Sequence, residues 1–137
     1  SAKAMPYLEK LVTSSQSPRV KEEALNMLAR TGSPQARDLV VRVARSGNPE
    51  IQTKAIHALG RMEQKDATGV LVQIYNDASA REVKEQAMDA LYDQKAIPSL
   101  ITIAKSEKNL DLKKKAVRYL SRSNTKEAND YLTELLK

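Results

Sequence analysis

Residues 112–120 read LKKKAVRYL, three consecutive lysines inside an apolar frame of Leu112, Ala116, Val117 and Leu120. At roughly 100° per residue these four positions fall within one stripe about 140° wide, the pattern of a helix buried along one side. The frame recurs as VKEEALNML (20–28), IQTKAIHAL (51–59) and VKEQAMDAL (83–91), with starts 31, 32 and 29 residues apart.

A second frame alternates with it: AMPYLEKLV (4–12), ARDLVVRVA (36–44), ATGVLVQIY (67–75), AIPSLITIA (96–104) and ANDYLTELL (128–136). Its spacings of 32, 31, 29 and 32 residues track the first. Two amphipathic helices in each unit of roughly 30 residues, repeated along the chain, predict an α-solenoid.

The punctuation agrees. Ser17-Pro18, Ser33-Pro34 and Asn48-Pro49 each place a capping residue before a proline at the first helical position, where the missing N–H is not needed. Pro6 and Pro98 fall in first turns, and Thr31-Gly32 closes a helix. The expected repeats run over about 4–31, 34–63, 66–94 and 95–123, followed by a half repeat at 126–137, all within a single domain 1–137.

On these frames the chain resembles HEAT repeats, particularly the short bacterial HEAT-like kind. The resemblance rests on an aliphatic residue, a basic residue, two variable positions and Ala at the start of the second helix. Val20-Lys21, Val83-Lys84 and Leu112-Lys113 match, and Ile51-Gln52 departs. Asp77 fits the family's Asp near the end of the first helix, where Ser14, Ser46 and Ser106 stand in other repeats. The resemblance implies an all-α, right-handed α-α superhelix of about four and a half HEAT-like helix pairs, with the second helix of each pair lining the concave face.

Two irregularities of register are expected to matter. The connection from Leu91 to Ala96 is three residues shorter than its counterparts, which predicts a change in local crossing angle; the loop through Gly47-Asn48 is one residue shorter than the others. The array closes on a first-type helix without its partner, exposing Leu132, Leu135 and Leu136. That ending, and a start at Ser1-Ala2 without Met, point to a segment of a longer chain or to end-to-end association.

Composition bounds the chemistry. The 137 residues are 41% hydrophobic and 29% charged, with no Cys, Phe or Trp, so the core is built from Leu, Val, Ile, Ala and Met. Without cysteine there is neither disulfide nor thiolate ligand, and the compartment stays open. No apolar run approaches the roughly 18 residues of a membrane span. His57, the one histidine, stands on the outward side of its helix, and the HEAT-like enzymes with paired iron sites use His-Glu dipeptides that this chain lacks. Glu85 and Asp89 share a face with Lys84, Arg81 and Lys95 nearby, a solvated setting that does not raise a carboxylate pKa. No enzyme, cofactor or metal is expected. The tyrosines are expected in core or half-core places, with Tyr7 and Tyr131 equivalent.

Charge is uneven. Between Lys105 and Lys126 lie eight basic residues against two acids, an excess equal to the net +6 of the whole chain. The third second-type helix instead carries Glu82, Glu85, Asp89 and Asp93. Lys113 is expected to lie along the core edge, and Lys114, Lys115, Arg118 and Arg122 to project outward together. Arg30, Arg61, Asp93 and Arg122 form a ladder at the ends of successive helices, where cations also complement the helix dipole. A non-enzymatic scaffold is expected, binding a protein or peptide partner of acidic character through Lys114, Lys115, Arg118, Arg122, Arg61 and Arg30. Nucleic-acid backbone binding through the basic fourth repeat is the alternative.

Overall fold

The computed structural model describes residues 4–46 and 48–137. Ser1 to Lys3 and Gly47 lie outside the described residues, and with them the Ser1-Ala2 start and the short loop through Gly47. Nine helices and no strand occur among the described residues: α1 (Met5–Ser14), α2 (Pro18–Thr31), α3 (Pro34–Ala44), α4 (Pro49–Gly60), α5 (Gln64–Asp77), α6 (Arg81–Asp93), α7 (Ile97–Ser106), α8 (Leu110–Ser123) and α9 (Lys126–Leu135).

The helix starts follow the sequence chemistry. Side chains of Ser17, Ser33, Asn48, Asn109 and Thr125 accept backbone N–H bonds from Val20, Ala36, Glu50, Leu112 and Ala128. Each satisfies a donor that the first turn leaves orphaned, worth about 1 kcal/mol per cap. Pro18, Pro34 and Pro49 open α2, α3 and α4, and Pro6 and Pro98 sit one residue inside α1 and α7. Left-handed residues end α2 at Gly32 (φ 69°) and α8 at Asn124 (φ 48°).

Successive helices pair as α1–α2, α3–α4, α5–α6 and α7–α8, and α9 lies against α7 and α8. The even helices α2, α4 and α6 also stack closely on one another, whereas α3 and α5 touch at few points. A two-layered stack bends toward the layer whose members approach more closely, so over the first three repeats α2, α4 and α6 form the inner layer of this helical repeat superhelix. Between the layers lies one continuous core in which Leu25, Leu28, Ile56, Leu59, Leu71, Met88, Leu91, Leu100 and Leu120 are fully buried. Tyr75 and Tyr131 belong to it, but Tyr7 is 74% exposed. The equivalence of Tyr7 and Tyr131 in sequence fails in burial: Tyr131 is 9% exposed, with Lys105 of α7 over its ring.

The stack loosens at the short connection. At the α4–α6 junction Gly60 abuts Ala90. The corresponding pair one repeat later is Tyr92 and Tyr119, whose rings stack with centroids 4.2 Å apart and 11° between planes. Two rings hold their backbones further apart than Gly against Ala can, and α6 and α8 touch at few points. The turn between α6 and α7 is correspondingly tight: Ala96 N–H bonds Leu91 C=O at 3.0 Å, Lys95 N–H bonds Tyr92 C=O at 2.9 Å, and Lys95 is left-handed at φ 56°. This is a Schellman closure with lysine where glycine is commonest.

Candidate partner-binding surface

The even helices present the charged side chains of the inner layer, and the structure sorts these into paired and unpaired. On the first repeats, Lys54 Nζ of α4 meets Glu22 Oε2 of α2 at 2.9 Å. The hydrogen bond and charge of Lys54 hold the Glu22 carboxyl below its usual range, with smaller help from His57 and Arg61. Arg30 reaches Glu23 on its own helix at 3.5 Å, both side chains largely in water. Such a pair contributes little to stability.

On the later repeats two acids of α6, Glu85 and Asp89, are engaged. Arg81 bonds Glu85 at 2.8 Å and reaches Asp111 at 3.1 Å. Asp89 accepts a bond from Lys115 Nζ at 2.8 Å and another from the Tyr119 hydroxyl. Partial burial, followed by that bond to Asp89, raises the Tyr119 pKa. Among the described residues no group of three or more His, Asp or Glu side chains gathers as a metal site.

The basic cluster of α8 therefore divides. Lys115 differs from the expectation of an outward lysine: its side chain is only 20% exposed and leans onto Asp89. Lys114, Arg118 and Arg122 are exposed and form no ion pair among the described residues. Arg61, just past α4, is exposed as well, while Arg30 is the paired member of its ladder. The six residues are thus not one patch. Four share α8, of which Lys115 is paired with Asp89, and Arg61 and Arg30 stand on earlier helix ends.

Sequence reasoning set Lys95 beside Glu85 and Asp89 but left it out of the partner-binding group. Lys95 is exposed in the α6–α7 turn and lines two neighbouring clefts. One also carries His57, Arg61, Asp93 and Gln94. The other, of about 580 Å³, lies between the ends of α6 and α8 and carries Tyr92, Asp93, Ile97 and Arg122. The available signal was the short connection after Leu91, which brings the next helix start close and turns Lys95 outward. Gln94 was missed: its buried side-chain amide donates to the Gly60 and Met62 carbonyls and lies 3.3 Å from that of Leu59, tying α6 to the end of α4.

At two of the second-helix starts the side chain after the first aliphatic residue, Lys84 or Gln52, caps the preceding helix. Lys84 Nζ donates to Tyr75 C=O at 2.7 Å, near the end of α5. Gln52, the departure from that pattern, donates through Nε2 to Ala44 C=O at 3.0 Å, at the end of α3. Both satisfy a carbonyl that the last helical turn leaves without a partner.

No helix among the described residues is long and apolar enough to cross a membrane. Comparison with the curated proteins found no match. A family model described as HEAT repeats matches residues 5–92, which takes in α1 to nearly the end of α6. HEAT repeats commonly mediate protein interaction and are typically non-enzymatic scaffolds. With its paired helices, stacked even layer and this match over more than half its length, the chain belongs to the HEAT-repeat family.

Proposed function

We propose that this chain is a non-enzymatic scaffold, residues 1–137 acting as one unit, that binds an acidic partner polypeptide along its even-helix layer. Lys114, Arg118 and Arg122 meet the partner's carboxylates, and Arg61 and Arg30 extend the contact toward the first repeats. The observation that carries this reading is the contrast within one helix. Lys115 is neutralised by Asp89, while its three basic neighbours stand in water with no partner among the described residues. An inner layer with mixed charge suits a polypeptide better than a uniform polyanion.

Nucleic-acid backbone binding is the second reading, favoured by the concentration of the whole +6 excess between Lys105 and Lys126. The acids of α6 interrupt a basic track. Selection of a random displayed-peptide library on the chain separates the two. Enrichment of acidic sequences whose binding disappears in the Lys114→Glu/Arg118→Glu/Arg122→Glu variant, with unchanged circular dichroism, supports the scaffold. Enriched peptides that bind the variant equally remove the site. Duplex DNA binding that falls steeply with salt, without peptide enrichment, replaces the reading with the second one.

A further inference from the structure

The cleft between the ends of α6 and α8 has a chemistry of its own. Its apolar part is the ring of Tyr92, held by stacking on Tyr119, together with Ile97 at the first position of α7. Lys95 and Arg122 stand at the same cleft, and neither has an ion pair or side-chain hydrogen bond among the described residues. Ser123 and Thr125 complete the lining: Ser123 Oγ donates to Leu120 C=O, and Thr125 Oγ1 accepts from Ala128 N–H in capping α9 and lies 3.5 Å from Ser123 Oγ. Asp93 contributes one carboxylate.

This combination is selective. Two cations beside an apolar floor favour a ligand with one anionic group next to an apolar one. The carboxylate of Asp93 disfavours a second anion close by, which weighs against a phosphate backbone and for an isolated acidic side chain. The cleft exists because the Tyr92–Tyr119 pair spreads α6 from α8, while Gly60 and Ala90 close the corresponding space between α4 and α6.

We infer that the α6–α8 cleft is a docking point for an acidic-apolar residue pair of a partner polypeptide, with the carboxylate between Lys95 and Arg122 and the apolar side chain on Tyr92 and Ile97. This rests on the acidic-polypeptide reading above and specifies which residues of the partner it recognises. Lys95 is the specificity-determining cation, because it belongs to the cleft and not to the basic face of α8.

The test is an NMR titration of the ¹⁵N-labelled chain with short glycine-serine peptides bearing one central Glu-Leu, Gln-Leu or Glu-Ser pair. The Glu-Leu peptide should shift the amides of Tyr92, Lys95, Ile97 and Ser123, and the other two peptides should bind at least about fivefold more weakly, near 1 kcal/mol. Lys95→Gly, which suits the left-handed backbone and so keeps the turn, should weaken the Glu-Leu peptide by a similar factor, as should Arg122→Gln. Equal binding of the Glu-Ser peptide, or no loss in Lys95→Gly, overturns the cleft. If the Glu-Leu peptide shifts only the amides around Lys114 and Arg118, the cleft falls and the broader reading stands. If no amide of the even helices moves, both fall.

Discussion

Gly60 of α4 approaches α6 so closely that a Cβ built on it would lie 3.1 Å from both Cα and Cβ of Ala90. Glycine is there for the neighbour's backbone and not for its own torsion. A Cβ requires Ala90 to give by a few tenths of an ångström and a larger side chain requires the two helices to separate, at a junction among the most intimate in the stack. Gly60→Leu is therefore expected to destabilise the fold by about 1–3 kcal/mol, read as a lower urea midpoint. Gly60→Ala should have a much smaller effect, because helix propensity offsets part of the clash.

Gln94 is 4% exposed and its amide serves carbonyls at the end of α4. Its side-chain carbonyl accepts from the Thr68 hydroxyl at 3.3 Å. Gln94→Leu keeps a similar volume but leaves these buried acceptors without a donor. A loss of about 1–3 kcal/mol is expected in chemical denaturation, and faster hydrogen exchange at the end of α4 should accompany it.

Lys95 adopts φ 56° at a position where a Cβ is unfavourable. Lys95→Gly is expected to stabilise the chain by about 1 kcal/mol despite the greater freedom of glycine when unfolded. A melting temperature that falls in this variant would contradict the account of the α6–α7 turn.

Tyr75 and Tyr119 both have raised pKa values, first through burial and then through hydrogen bonds to Glu107 and Asp89. A folded-state pKa above the unfolded value near 10 means the native state holds the proton more tightly. The resulting stability is complete below about pH 10 and is lost as pH rises through the folded values. Tyr75→Phe/Tyr119→Phe should thus flatten the decline of stability in alkali relative to the native chain. An unchanged slope would show that these hydroxyls are not the groups responsible.

Glu22 works in the opposite direction at acid pH. Its pKa is lowered below 4.5 mainly by Lys54, so its contribution is present above the unfolded value and is lost as pH falls through the folded one. Glu22→Gln should make the acid side of the stability profile shallower. At neutral pH the change should stay within about 1 kcal/mol, because both side chains are partly in water.

Much of the architecture is legible in the sequence. The frames at Val20, Ile51, Val83 and Leu112, the capping residues and five helix-opening prolines all concern local periodicity and backbone donors, which adjacent residues determine. The Leu91–Ala96 shortening also announced its place in the stack. Less legible was the equivalence of Gln52 and Lys84, which share a carbonyl-capping role under different side chains. A sequence pattern records residue type, whereas the carbonyl needs only a donor within reach.

The linear chain determined two alternating amphipathic helices, their number and their ends, because each depends on contacts within a few residues. Only the tertiary structure decided which charges are free. Lys114 and Lys115 are neighbours with the same charge, yet one stands in water and the other is held by Asp89 at 2.8 Å. The partner of a side chain about 30 residues away depends on how closely two helices approach, and Gly60 against Ala90 and Tyr92 against Tyr119 set that approach differently along one stack.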